Sequence, residues 1–108
     1  MLGVQVWITA YVSDEPQPGL VACTLIDADG RRWMWIEKAA IVSAEDLHAG
    51  SPYPQPGAIA CERIWERPDS TDPTGGVRVR IDTASPWGVA SVEGETQLEV
   101  RPSQLIEW

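Results

Sequence analysis

The residues with the widest chemical repertoire are two cysteines in matching settings. Cys23 closes the octet Pro16-Gln17-Pro18-Gly19-Leu20-Val21-Ala22-Cys23, and Cys61 closes Pro54-Gln55-Pro56-Gly57-Ala58-Ile59-Ala60-Cys61. Six of the eight positions are identical, and the other two exchange one apolar residue for another. Such a pair could form a disulfide or supply half of a metal site. A zinc site needs four ligands at short spacing, and neither C-x-x-C nor H-x-x-x-H occurs. The expectation is two free thiols, both buried in the core.

Other candidates reduce to structural roles on the same kind of argument. Asp27-x-Asp29-Gly30 resembles the start of a calcium loop, but the later ligands and the Glu at the twelfth position are missing, so it reads as a hairpin turn. His48, the single histidine, could serve as a general base for Ser51. No nucleophile elbow or oxyanion loop accompanies them. Sixteen Asp and Glu residues could include a glycosidase pair, but such a pair is defined in space and no two are singled out. Arg31 and Arg32 beside Trp33 and Trp35 have the cation-aromatic composition of a base-stacking surface. Arg78 and Arg80 would pair across strands with Glu62 and Glu66. No cofactor is expected.

Charge narrows the partner classes. The net charge is −8 over 108 residues, which argues against phosphate-backbone binding and favours a basic protein partner. The apolar start lacks a basic leader region and a cleavage site, and no apolar run reaches the length of a membrane span. A cytoplasmic location is therefore expected.

These residues need elements to hold them. Val4, Val6, Ile8, Ala10 and Val12 alternate with Gln5, Trp7, Thr9 and Tyr11, the period of a strand with one buried face. Leu20 to Ile26 and Arg32 to Glu37 follow as strands. The latter is apolar on both faces, with Trp33 and Trp35 on one and Met34 and Ile36 on the other, so a cover is expected on both. Ser43, with Asp46 three residues on, predicts a short helix ending at Gly50, with Val42 and Leu47 as a hydrophobic staple. Ala58 to Glu66 predicts a strand with a bulge near Glu62 to Ile64. Val77, Val79 and Ile81 mark another. Val89 to Val92 and Thr96 to Val100 predict a hairpin around Glu93-Gly94. Pro102 to Trp108 predicts a 3₁₀ turn and a short closing strand.

This pattern predicts one mostly β domain over residues 1–108: a small, partly open antiparallel β-barrel, OB or SH3-like, of six or seven strands with one short helix. The echo extends further. Gly30 to Ala39 and Gly75 to Ala84 both run from glycine through a strand to Ile, an acid and, two places on, Ala. Duplication of a hairpin and convergence on the same loop-to-strand chemistry both account for it. With six Trp and no Phe, most Trp must fill the core, and one or two are expected at a surface.

Ser51 to Cys61, Val79 to Thr83, Pro86-Trp87-Gly88, Glu93-Gly94 and Glu37-Lys38 with the apolar residues after it together resemble a group of small bacterial proteins of unknown function. The resemblance implies a bacterial, cytosolic domain and no activity. The function expected is a non-enzymatic protein-binding module, in one version an immunity protein against a basic toxin. The alternatives are a ligand-binding or catalytic barrel with Tyr53, Trp87 and Trp33 lining a pocket, and a homodimer formed through exposed Trp.

Overall fold

The alternation at the N-terminus produces one long strand, β1 (Leu2–Ser13), around which the larger sheet is built. The computed structural model describes residues 1–17 and 19–107. Pro18 of the first octet and Trp108 of the closing segment lie outside the described residues. β1 pairs antiparallel with β2 (Leu20–Ile26), which pairs with β3 (Arg32–Lys38). Its other edge takes β4 (Gln55–Ala60). The closing strand β8 (Leu105–Glu107) sits beside Leu2 to Val4 on the β2 side. A second sheet has the order β5 (Glu62–Pro68), β6 (Val77–Asp82), β7 (Gln97–Val100).

The chain passes from one sheet to the other within a single residue, Cys61, whose N–H donates to the Leu2 carbonyl at 3.0 Å. The predicted single strand is thus two, β4 and β5, with a register shift between Arg63 and Trp65 that leaves Ile64 bulged. The inward faces meet in one core: Val4, Val6, Ile8, Val21, Leu25, Trp35 and Ile59 with Val79, Ile81, Leu98 and Val100. The fold is mostly β, antiparallel in two sheets, with one short α-helix. No helix among the described residues is long and apolar enough to cross a membrane.

The two octets lie on opposite edges of β1 but do different jobs. In the first, Gly19 N–H bonds the Pro16 carbonyl at 2.7 Å, closing a turn before β2 begins. In the second, Gln55 to Gly57 are already strand, facing Ile8 to Val6. Pro56 is tolerated there because β4 is an edge strand. The peptide bonds before Pro16 and Pro54 are both cis. Both octets need their glycine for space. A Cβ at Gly19, which also has φ +123°, would strike the Tyr11 ring, and one at Gly57 would lie 2.7 Å from the Val42 carbonyl and from Ile8 Cδ1.

Three expectations are corrected. The helix α1 occupies Ala39–Val42 and stops at Ser43, rather than starting there. Ser43 Oγ accepts from Glu45 N–H, and Ser51 Oγ from His48 N–H, so side chains offer this segment turns instead of helix. Residues 89–92 form no strand. Ser91 Oγ accepts from the N–H groups of Glu93 and Glu95, which curls the segment, while Val92 N–H reaches the Met34 carbonyl on the β3 edge. Finally, the described residues leave Met34 and Ile36 exposed, at 41% and 42%. The tryptophans divide: Trp33 and Trp35 are buried, Trp65 is half-buried beneath Arg67, and Trp7 and Trp87 are exposed.

Gly57→Ala forces a methyl between β4 and the helix backbone. The expected loss is about 1–3 kcal/mol, read as a lower urea midpoint with an unchanged slope.

Candidate functional site

Residues suited to chemistry are largely occupied in holding turns. Asp27 Oδ1 accepts from the N–H groups of Asp29 and Arg31, and Oδ2 accepts from Trp33 Nε1 at 2.8 Å. Asp27 to Gly30 is therefore a hairpin turn whose carboxylate is engaged. His48 Nδ1 accepts from Gly50 N–H, while Ser51 Oγ is held by the backbone of His48 rather than its imidazole. Among the described residues, no group of three or more His, Cys, Asp or Glu is arranged to hold a metal.

The three predicted pocket aromatics have separate settings. Trp33 is buried, stacked on Trp35 with ring centroids 6.0 Å apart, and covered by the Arg31 guanidinium at 4.5 Å. It lines a cleft of about 200 Å³ with Asp27, Arg31, Arg80, Glu95 and Glu99, and neither Tyr53 nor Trp87 is on its walls. Tyr53 is half-buried against the core and donates from its hydroxyl to the His48 carbonyl at 2.8 Å. Trp87 is exposed on the turn that follows β6. Cys23 and Cys61 are both free and buried. Burial pushes the Cys23 thiol up to about 12, with Glu37 adding to the effect, and Cys61 up to about 11 against the opposing charge of Arg63.

Charge is distributed unevenly. Six of the seven arginines are in ion pairs: Arg31, Arg63, Arg67, Arg78, Arg80 and Arg101. Arg78, only 12% exposed, bonds Asp29 of the β2–β3 turn and lies 3.1 Å from Glu99 on β7 and 3.9 Å from Asp69. Its partners are these acids, and not Glu62 or Glu66 as the strand order in sequence suggested. Arg101 reaches the other Asp69 oxygen at 3.1 Å. Hydrogen bonds from the Thr71 hydroxyl and N–H, with Arg78 and Arg101 beside them, hold the Asp69 carboxyl below the usual carboxylate range.

The opposite end has no such compensation. Asp14, Glu15, Glu45 and Asp46 have no ion pair among the described residues. Two of them, Asp14 and Asp46, act on Tyr11, whose phenol is pushed up by burial, then by its hydrogen bond to Asp14 and by the charges of Asp14 and Asp46. Glu45 and Asp46 rim a cleft of about 460 Å³ walled by Leu47, Ser51, Pro52, Gln55 and Pro56. Sequence singled out Asp46 only as the partner of Ser43 in starting a helix, and neither acid as part of a site. The signal that could have found them is the lack of any Lys or Arg between Lys38 and Arg63.

The outward face of the larger sheet is the second surface. Trp7 stands opposite Pro56 on β4 and Thr24 on β2, and Thr24 opposite Met34 on β3, forming one row across four strands. Trp7 is 49% exposed. Alternation with the buried Val6 and Ile8 places it outward, and one or two tryptophans were expected at a surface. Against family models, curated proteins and solved structures, the chain has no significant match.

Both thiols should resist labelling in the native protein and react fully in denaturant. Rapid native labelling of either would contradict the burial described. Asp69→Asn should lower the denaturation midpoint at neutral pH. Because the folded-state pKa of Asp69 is depressed, its stabilisation is present above the unfolded value and is lost as pH falls through the folded one. The gap between wild type and variant should therefore close below about pH 4.

Proposed function

We propose that this chain is a non-enzymatic protein-binding domain that recognises a basic partner. The observation that carries the reading is the segregation of charge. Arginines pair with most of the acids around the smaller sheet, whereas Asp14, Glu15, Glu45 and Asp46 have no ion pair among the described residues, and Glu45 and Asp46 rim one cleft. An uncompensated acidic end attracts a cationic surface, speeds encounter and rejects acidic competitors. Proline-stiffened walls at Pro52 and Pro56 and the half-buried Tyr53 present contacts that lose little freedom on binding. A narrower form is an immunity-type protein that covers a basic toxin domain in the bacterial cytoplasm.

We read the architecture behind this surface as a partly open barrel of the SH3-like or OB kind. Supporting it are the shared bend at Cys61 and α1, which touches both β3 and β4, the outer strands of the larger sheet. The ligand-binding alternative gains less, because Trp33, Tyr53 and Trp87 line no shared cleft in the arrangement described above.

Proteins enriched from the source cell should be titrated individually, as pure components, against the chain. The expected partner is basic, and its affinity falls steeply with salt. The triple variant Asp14→Asn, Glu15→Gln, Asp46→Asn should weaken it by about tenfold or more without lowering the denaturation midpoint. A partner indifferent to salt and to the triple variant would overturn the reading. For the immunity form, co-expression should relieve the toxicity of that partner.

A further inference from the structure

We propose that the outward face of the larger sheet is a self-complementary surface on which a second copy of this chain docks, face to face, about a two-fold axis parallel to the strands. This goes beyond recognition of a basic partner, with whose cleft the face shares Glu45 and Pro56.

The face is apolar at its centre. Trp7, Pro56 and Met34 share the row described above, and Ile36 and Ile26 lie on the same side of β3 and β2. All five are exposed, Ile26 at 53%. No carboxylate occupies an outward position on β1, β2 or β3. Isolated exposed apolar residues are ordinary on a monomer, whereas a contiguous row over four strands marks an interaction surface.

Charge identifies the occupant. Arg32 and Lys38, both pointing outward from β3, are the two Lys or Arg side chains without an ion pair among the described residues. Arg32 bonds only the Thr24 hydroxyl, at 3.1 Å. They form the β3 margin. At the β4 margin, Glu45 walls a groove of about 260 Å³ whose sides include Gln5, Pro56, Ala58 and Ile106, all from the outward face. Arg32 and Lys38 thus stand at the β3 margin, beside the Glu93 loop that bonds the Met34 carbonyl, and Glu45 stands at the β4 margin, with the apolar row between.

A two-fold axis lying in the contact plane, parallel to the strands, exchanges the two margins. It sets Arg32 of each copy against Glu45 of its mate. The register matches along the strands as well as across them. Arg32 pairs with Ile26 and Gln5 with Ala58, and the pairing of Trp7 with Thr24 puts these two pairs at one level. Each Trp7 then lies over the small residues of the other copy's β2, including Ala22 and Thr24. Such a contact is isologous and closes at two copies. A partner of uniform positive charge would meet Arg32 and Lys38 as like charges, which is why the face suits a copy of itself better than the basic partner of the acidic end.

Sedimentation equilibrium over a concentration series tests the proposal. The wild type should be a reversible dimer. Trp7→Ala should raise the dissociation constant by about tenfold or more, with near-ultraviolet dichroism of the buried Trp33–Trp35 pair retained. Arg32→Glu and Glu45→Arg, each alone, should weaken the dimer, and the double charge swap should restore it. A wild type that stays monomeric at every concentration overturns the proposal. So does a dimer indifferent to Trp7→Ala, or a double swap no better than its parents in protein that keeps its dichroism. A monomer that still binds a basic partner would leave the preceding section intact.

Discussion

The guanidinium of Arg78 gathers three carboxylates where the β2–β3 turn meets β7, a junction also made by the Ala28 N–H on the Glu99 carbonyl at 2.9 Å. It reaches the β2–β3 turn through Asp29, the β5–β6 loop through Asp69 and strand β7 through Glu99. Three carboxylates around one largely buried cation offset its desolvation by charge; its hydrogen bond goes to Asp29, and Nε approaches Glu99 without hydrogen-bond geometry. The buried Asp69 side chain shares this cation at 3.9 Å and is held more closely by Arg101 at 3.1 Å and by Thr71. These carboxylates concentrate arginine around the smaller sheet. In a chain with twice as many acids as Lys and Arg, the carboxylates without an ion pair among the described residues include Asp14, Glu15, Glu45 and Asp46, together with Glu37, Glu62 and Asp82.

Much of the scaffold was legible because burial imposes a period. Val4, Val6 and Ile8 revealed β1, and Val79 and Ile81 revealed β6, since an error of one residue would turn every side chain to the wrong face. The misfit of Arg63 and Ile64 announced the bulge for the same reason. Legibility failed where a hydroxyl competes with the backbone. Ser43, Ser51 and Ser91 each accept main-chain N–H groups, and the predicted helix and hairpin give way to turns around them. Composition cannot say which donor a serine will choose.

The interaction surfaces were less legible still. Met34 and Ile36 suggested a cover, and the described residues leave both exposed. Glu45 and Asp46 were assigned to a helix that does not extend over them. Their meaning depends on arginines elsewhere being engaged, a property of the whole charge distribution rather than of any local motif. Trp33, the most conspicuous candidate ligand-contact residue, is instead fixed from three sides by Asp27, Arg31 and Trp35.

Strand β5 carries a separate implication. It pairs only with β6, and six of its seven residues are exposed. Such an edge could template strand after strand without limit. Here the bulge at Ile64 breaks its register, Glu62, Arg63, Glu66 and Arg67 charge both of its faces, and Pro68 removes a donor at its end. Growth along the hydrogen-bonding direction is thereby obstructed. An open sheet edge can thus be present without offering a regular template to a further strand.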